Sequence, residues 1–273
     1  MNFPFPIDSY EAMMVKAGIP SSQYKVIREN GQWIEIRKPG KALTVYSADS
    51  IKPALDEAVT AYQRLSGVQV KVVYCKVKQA FERTKQEKGD LFLSGHGDAY
   101  EAAKKEGLAV EGSQQLLGYL RVVLAVRKGN PLGIMQLTDL TRTGLKVGLG
   151  DPDTAQLGKV SEELLQKAGL ADGVHADVVA RGDCCSTTAA LLIANKLEAE
   201  LGWAAFSAWA PDAIDTIALP TDLAKPLPLT GLVLTTSTVP AHAAAFLRFL
   251  SDPAGKAIFA KFGYGPGPDT AAP

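Results

Sequence analysis

Residues 43–74 read LTVYSADSIKPALDEAVTAYQRLSGVQVKVVY. Leu43 to Tyr46 is a short β-rich run, after which apolar residues recur at Ile51, Ala54, Leu55, Ala58, Val59, Tyr62 and Leu65. That spacing lines one face of a helix, and Gly67 supplies the stop. Val68 to Tyr74 then returns to strand composition. Strand, helix and strand within about thirty residues predict a βαβ unit, because two parallel strands need a crossover of roughly this length.

The same order continues outward. A polar helix is expected over 77–87, a buried strand from Asp90 to Ser94 and a helix from Asp98 to Lys105. After a strand from Leu120 to Val126 a second series begins. Its strands are Leu145 to Leu149, Asp177 to Ala180 and Leu201 to Ala205, and its helices run to Ala168 and from Thr187 to Lys196. A strand from Thr230 to Thr235 precedes helices over Val239 to Leu250 and Pro253 to Phe262. Repeated βα order implies α/β architecture with mainly parallel sheets covered by helices on both faces. At 273 residues the chain exceeds one ordinary core, so two lobes joined by a hinge are expected. Residues 42–124 plus 232–265 form lobe one and 125–231 lobe two, with the strands near 120–126 and 230–235 as crossovers. Upstream, two β-rich runs flank Asn30-Gly31 and predict a hairpin with a type I′ turn inside an N-terminal appendage, residues 1–41. The Gly265-Pro266-Gly267-Pro268 run opens a flexible tail over 266–273.

Lys+Arg and Asp+Glu balance at 29 each, which excludes the broad basic surface that nucleic acid requires. No run approaches the ~18–20 apolar residues of a membrane span. Met1 to Pro6 lacks the basic and apolar regions of a secretory signal, leaving a cytoplasmic protein or one whose signal is removed. Gly-x-Ser-x-Gly, Walker and His-Glu-x-x-His patterns are absent, and Gly263 to Gly267 follows a helix where a phosphate loop would follow a strand.

Five stretches resemble the periplasmic molybdate-binding proteins and their wider solute-binding relatives: Thr44 to Ser50, Gly89 to Ser94, Arg127 to Leu132, Gly150 to Thr154 and Phe246 to Ala254. Their order and spacing match along residues 43–264. The resemblance implies a type II periplasmic-binding-protein fold that closes on one small inorganic solute in an inter-lobe cleft. It further implies an extracytoplasmic component of an ABC importer, monomeric, without a cofactor, and partnered by a membrane permease. In that family two serines, backbone amides and a tyrosine hold a tetrahedral oxyanion such as molybdate or tungstate. Ser50 resembles the first serine, with Asp49 beside it, and Leu157 and Gly158 stand where the family places an amide contact. Ser50 also reads as the N-cap of the 51–66 helix. The second hydroxyl position reads Tyr74-Cys75-Lys76, and the second-lobe loop reads Arg181-Gly182-Asp183-Cys184-Cys185-Ser186-Thr187. The family's tyrosine falls near Ala205-Phe206, so one hydroxyl donor is missing.

All three cysteines fall in expected strand-to-helix loops. Thiols beside helix N-termini suit a thiophilic ion, so Cys75, Cys184, Cys185 and His96 form an alternative metal or metalloid site, with Asp49 able to complete it. Packing in the core and disulfide formation are the plainer readings of the same residues. A cysteine-dependent enzyme using Cys184 or Cys185 with His96 is a further alternative, as is a surface protein whose 1–41 region contacts a partner. Lys76 and Lys78 would favour an anion from the cleft edge. Asp151 and Asp153 read as turn and cap residues, His175 and His242 as surface or helix residues, and Trp33, Trp203 and Trp209 as packing residues, with Trp203 able to reach the cleft.

Overall fold

Period-3.6 and β-rich runs alternate because each strand here is sandwiched between helices, and the computed structural model follows that alternation through residues 24–29, 32–37, 42–95 and 99–265. Asn30-Gly31, His96 and residues 266–273 lie outside the described residues. So do most of residues 1–41, save a hairpin of β1 (Tyr24–Glu29) and β2 (Gln32–Arg37). These pair antiparallel with Glu29 opposite Gln32.

The chain forms two compact units. The first takes residues up to Leu117 and Leu229–Ile258, and the second takes Gly118–Pro228 and the residues from Phe259. The passages at 117–118 and 228–229 fall a few residues before those read from the sequence. The stretch from Phe259 packs with the second unit: Phe259 and Tyr264 meet edge to face at 5.8 Å, and Gly118 lies against the Tyr264 backbone.

In the first unit β3 (Leu43–Ser47) leads through a short 3-10 turn, Asp49–Ile51, into α1 (Lys52–Ser66). Gly67 ends α1 at φ 68°, a left-handed position that glycine takes without Cβ strain. β4 (Val70–Tyr74), α2 (Val77–Glu87), β5 (Leu91–Ser94) and α3 (Ala99–Lys105) follow, then β6 (Gln115–Leu120). The sheet order is β4-β3-β5-β12-β6, where β12 is Leu227–Val233. β3 is parallel to β4 and β5, whereas β12 runs antiparallel to β5. Tyr46, Phe81, Phe92 and Leu232 fill one core cluster. On the other side Tyr62 of α1 packs on Phe246 and Phe249 of α8 (Pro240–Ser251), at 4.7 and 5.3 Å between ring centres.

The second unit holds β7 (Val122–Arg127), β8 (Val147–Gly150), α4 (Gln156–Lys167), α5 (Ala171–His175), β9 (Val178–Gly182), α6 (Cys185–Ile193), β10 (Ala199–Trp203), α7 (Phe206–Trp209) and β11 (Ile214–Ala218). Its order is β11-β7-β10-β8-β9. β8, β9 and β10 are parallel, and β7 pairs antiparallel with both β10 and β11. Each sheet is therefore mixed: strands linked through helices are parallel, and the strands entering from the crossovers are antiparallel. α9 (Pro253–Lys261) closes the described chain. Among the described residues no helix is long and apolar enough to cross a membrane.

Candidate functional site

Parallel strands end at the same edge of a sheet, and in each unit that edge carries the residues singled out from the sequence. In the first unit Ser47 lies opposite Tyr74 and Leu93, Cys75 N donates to Ser47 O at 2.9 Å, and Ala48 N donates to Leu93 O. This lattice brings Asp49, Ser50, Cys75 and Lys76 to one edge. Ser50 is 5% exposed within the 3-10 turn feeding α1. The helix itself is capped otherwise than the sequence suggests: Ala48 and Ile51 occupy the two cap positions, and neither contributes a side-chain hydrogen bond. Pro53 fixes the first turn of α1 instead. Asp90 braces the opposite end of these strands, where they begin, accepting from Thr44 N at 2.8 Å and Ser237 Oγ at 2.7 Å.

Cys75 is half-buried among Tyr46, Phe81 and their neighbours, with its thiol 3.7 Å from Val73 O. Burial pushes this thiol above its ordinary range, so it persists as a neutral, weak donor. Lys76 is exposed at the N-cap of α2, its amide donating to Gln79 Oε1.

In the second unit the β8 and β9 loops are bound to each other. Asp151 N donates to Gly182 O at 2.8 Å, Thr154 Oγ1 to Asp183 O at 2.9 Å, and Arg181 Nη1 to Gly150 O at 3.2 Å. Asp151 accepts from Asp153 N and sets the turn into α4. Leu157 and Gly158, in the first turn of α4, are both buried. Gly150 and Gly158 meet backbone to backbone; a Cβ on Gly150 would stand 2.6 Å from Gly158 N.

Cys184 is the N-cap of α6. Its amide donates to Thr187 Oγ1 at 3.0 Å, and Thr187 in turn donates to Asp183 Oδ1 at 2.8 Å. Thr187 thus serves the cap. Cys184 Sγ lies 3.2 Å from Ser186 Oγ. Cys185 goes elsewhere: it is 5% exposed and accepts the Trp203 indole N–H at 3.1 Å. This pair explains both residues at once, because a buried indole needs an acceptor and the sulfur supplies it. Trp203 is accordingly core, and the neighbouring thiols do not share one environment. No disulfide joins the three cysteines, and among the described residues no three His, Cys, Asp or Glu groups converge on a point. His96 lies outside the described residues. After β10, Ala205 and Phe206 are buried, with Phe206 packed at a tilt against Trp209, 4.9 Å between ring centres. No hydroxyl stands where the resemblance places a tyrosine. His175 pairs with Glu162 at 2.9 Å on the surface.

Sequence reasoning missed one residue type altogether. Glu200, the second residue of β10, is fully buried and none of the strand reading marked it. A lone carboxylate inside the apolar run Ala199 to Trp203 was the available signal.

In each unit a helix N-terminus stands at the end of parallel strands beside a buried or capping hydroxyl, a kind of donor that suits a small anion. Residues 43–265 match the family model of bacterial extracellular solute-binding proteins. The chain belongs to this family. As a solute-binding protein it is a component of transport rather than an enzyme. It is 28% identical over 177 residues to the molybdate-binding protein ModA of Rhodobacter capsulatus, covering 64% of this chain and 68% of that one. The fold is shared with the periplasmic molybdate-binding protein of Azotobacter vinelandii, TM-score 0.71 at 16% identity, over 81% of this chain and 98% of that one. The sulfate-binding protein SubI from Mycobacterium tuberculosis H37Rv aligns with a TM-score of 0.70 at 17% identity, over 84% and 88%. These likenesses identify the two-lobed type II binding-protein fold.

Proposed function

We propose that this solute-binding protein captures a tetrahedral oxyanion of the molybdate or tungstate kind outside the cytoplasm and delivers it to an ABC permease. Ser50 carries the reading. It is a buried hydroxyl residue in the turn feeding a fifteen-residue helix, at the position the molybdate-binding resemblance gives to a ligand serine. Helix N-termini and hydroxyls offer partial positive charge and directed donors without a counter-ion, which suits an anion that must shed its water. The second lobe contributes the amides of Leu157 and Gly158 and the exposed start of α6 around Cys184 and Ser186. Cys75 in place of a hydroxyl and Ala205-Phe206 in place of a tyrosine remove two strong donors. A larger, softer oxyanion tolerates that loss better than sulfate, whose compact charge demands every donor.

Thermal unfolding of the full chain with molybdate, tungstate, sulfate, zinc and cadmium tests this reading. Molybdate and tungstate should raise the midpoint, by an amount growing with the logarithm of concentration once above Kd. Stabilisation by cadmium alone, abolished in Cys75→Ser, would instead establish the thiol site.

A further inference from the structure

Strand β10 is sealed on both faces, and Glu200, its second residue, is 0% exposed. Neither of its carboxyl oxygens has a hydrogen-bond partner among the described residues. The register sets Glu200 beside Ala125 on one side and Gly148 on the other, with Thr216 beyond Ala125 and Ala180 beyond Gly148. A carboxyl thus sits in a cross-sheet row whose immediate neighbours are alanine and glycine. Alternation along the strands puts Glu200 on the face of Gly148, Gly150 and Gly202. On that face Gly150 touches Gly158 of α4, while Gly148 lies against Leu197 and Gly202 against Phe206. Ser161, one turn further along α4, is also 0% exposed, with its Oγ unpartnered among the described residues.

Charge to offset a carboxylate is lacking on every element packed against β10. β8 and α7 carry no titratable groups, and on α6 Cys185 lies under Trp203 on the opposite face. On β7 Arg127 pairs with Glu198. On α4, Lys159 and Glu163 are exposed, Glu162 pairs with Arg181 and His175, and Lys167 donates to the Asp222 carbonyl. On β11 Asp215 pairs with Lys128. Burial, as the cause, accordingly holds the Glu200 acid well above the usual carboxylate range.

We propose that Glu200 is a positioning residue that supports α4 as the neutral acid, and that losing its proton loosens the first turn of α4 and makes solute capture there proton-linked. A charge with no partner must draw in water, and the route is to part α4 from the sheet at the Ser161 side. The backbone contact between Gly150 and Gly158 leaves no slack, so parting the helix shifts Leu157 and Gly158 against the Gly150–Ala155 loop. The capture half of this inference rests on the oxyanion reading; the helix half does not.

The folded form keeps a proton that the unfolded chain has lost. Stability therefore falls as pH rises from the ordinary glutamate range toward the raised folded value, approaching tenfold in the folding constant per pH unit. Two measurements on the full chain, from pH 5 to 9, separate the halves. Without solute, hydrogen exchange over residues 156–162, corrected for intrinsic rate, and the unfolding midpoint are compared among wild type, Glu200→Gln and Glu200→Met. The wild type should lose protection and stability with rising pH while both variants stay level. With molybdate as probe, wild-type affinity should fall at least tenfold over the same rise and that of the variants should hold. Identical pH profiles in wild type and variants overturn the inference. A helix that responds while molybdate affinity does not overturns the link to capture. A helix that responds in a chain that never binds molybdate supports the proton-linked helix and overturns the oxyanion reading.

Discussion

Substituting Gly158→Ala places a methyl group where the structure has only backbone. The new Cβ would stand 2.5 Å from Asp151 O, 2.6 Å from Gly150 C and closer still to Asp151 C. Carbon contacts settle near ~3.5 Å, so the turn into α4 must open by about 1 Å. These neighbours are backbone atoms fixed by Asp151 N donating to Gly182 O and Ala155 N donating to Asp151 O, both at 2.8 Å. Overpacking of this kind costs about 1–3 kcal/mol. Alanine returns at most about 1 kcal/mol through helix propensity, less in a first turn, so the steric cost wins. A net loss of about 1–2 kcal/mol is expected in urea unfolding followed by Trp203 and Trp209 fluorescence. Gly150→Ala strikes the same contact from the other side, and the double variant should lose less than the sum of the two. A Gly158→Ala protein as stable as wild type would refute the reasoning, because the tight backbone crossing could not then exist.

Three further outcomes follow from the same coordinates. Ser50→Ala should weaken molybdate binding by about tenfold or more in a calorimetric titration, as for one lost donor to an anion. Iodoacetamide labelling followed by peptide mass spectrometry should modify Cys185 only on unfolding, since it is sealed beneath Trp203. It should modify Cys75 slowly at pH 7 and faster as pH rises through its elevated thiol range. Rapid labelling of Cys185 in the folded protein would contradict the packing described. Asp139 accepts from Met135 N at 2.8 Å and Gln136 N at 3.1 Å; those bonds, the Met135 one foremost, then Arg142, hold its carboxyl below the usual range. Asp139→Ala should cost about 1 kcal/mol at pH 7, and the difference from wild type should shrink as acid protonates Asp139.

Helix-linked strands were readable because burial on both faces makes them continuous apolar runs, as in Asp90 to Ser94, bounded by amphipathic helices. β6 and β11 gave no such signal. QLLGYL and IDTIA are short, and the antiparallel pairing of β11 with β7 is a matter of sheet order, which periodicity does not encode. α6 starts at Cys185, ahead of the expected Thr187, because Cys184 and Thr187 cap it together, a role usually sought in Ser or Asp. Of the candidate site, position along the strand edges was legible, but side-chain direction was not. Adjacent Cys184 and Cys185 look equivalent in sequence, and only the Trp203 indole, eighteen residues away, separates them. Glu200 escaped for a related reason: a single charge in a strand reads as solvated until the sheet's order shows that both of its neighbours are strands.

Isothermal titration of the full chain with molybdate, beside Ser50→Ala and Cys75→Ser, tests the central claim most directly. One oxyanion per chain should bind the wild type, about tenfold or more weaker to Ser50→Ala, and at least as tightly to Cys75→Ser, where a stronger hydroxyl donor replaces the thiol. Absence of heat with molybdate, tungstate and sulfate alike, or binding indifferent to Ser50→Ala, would contradict it.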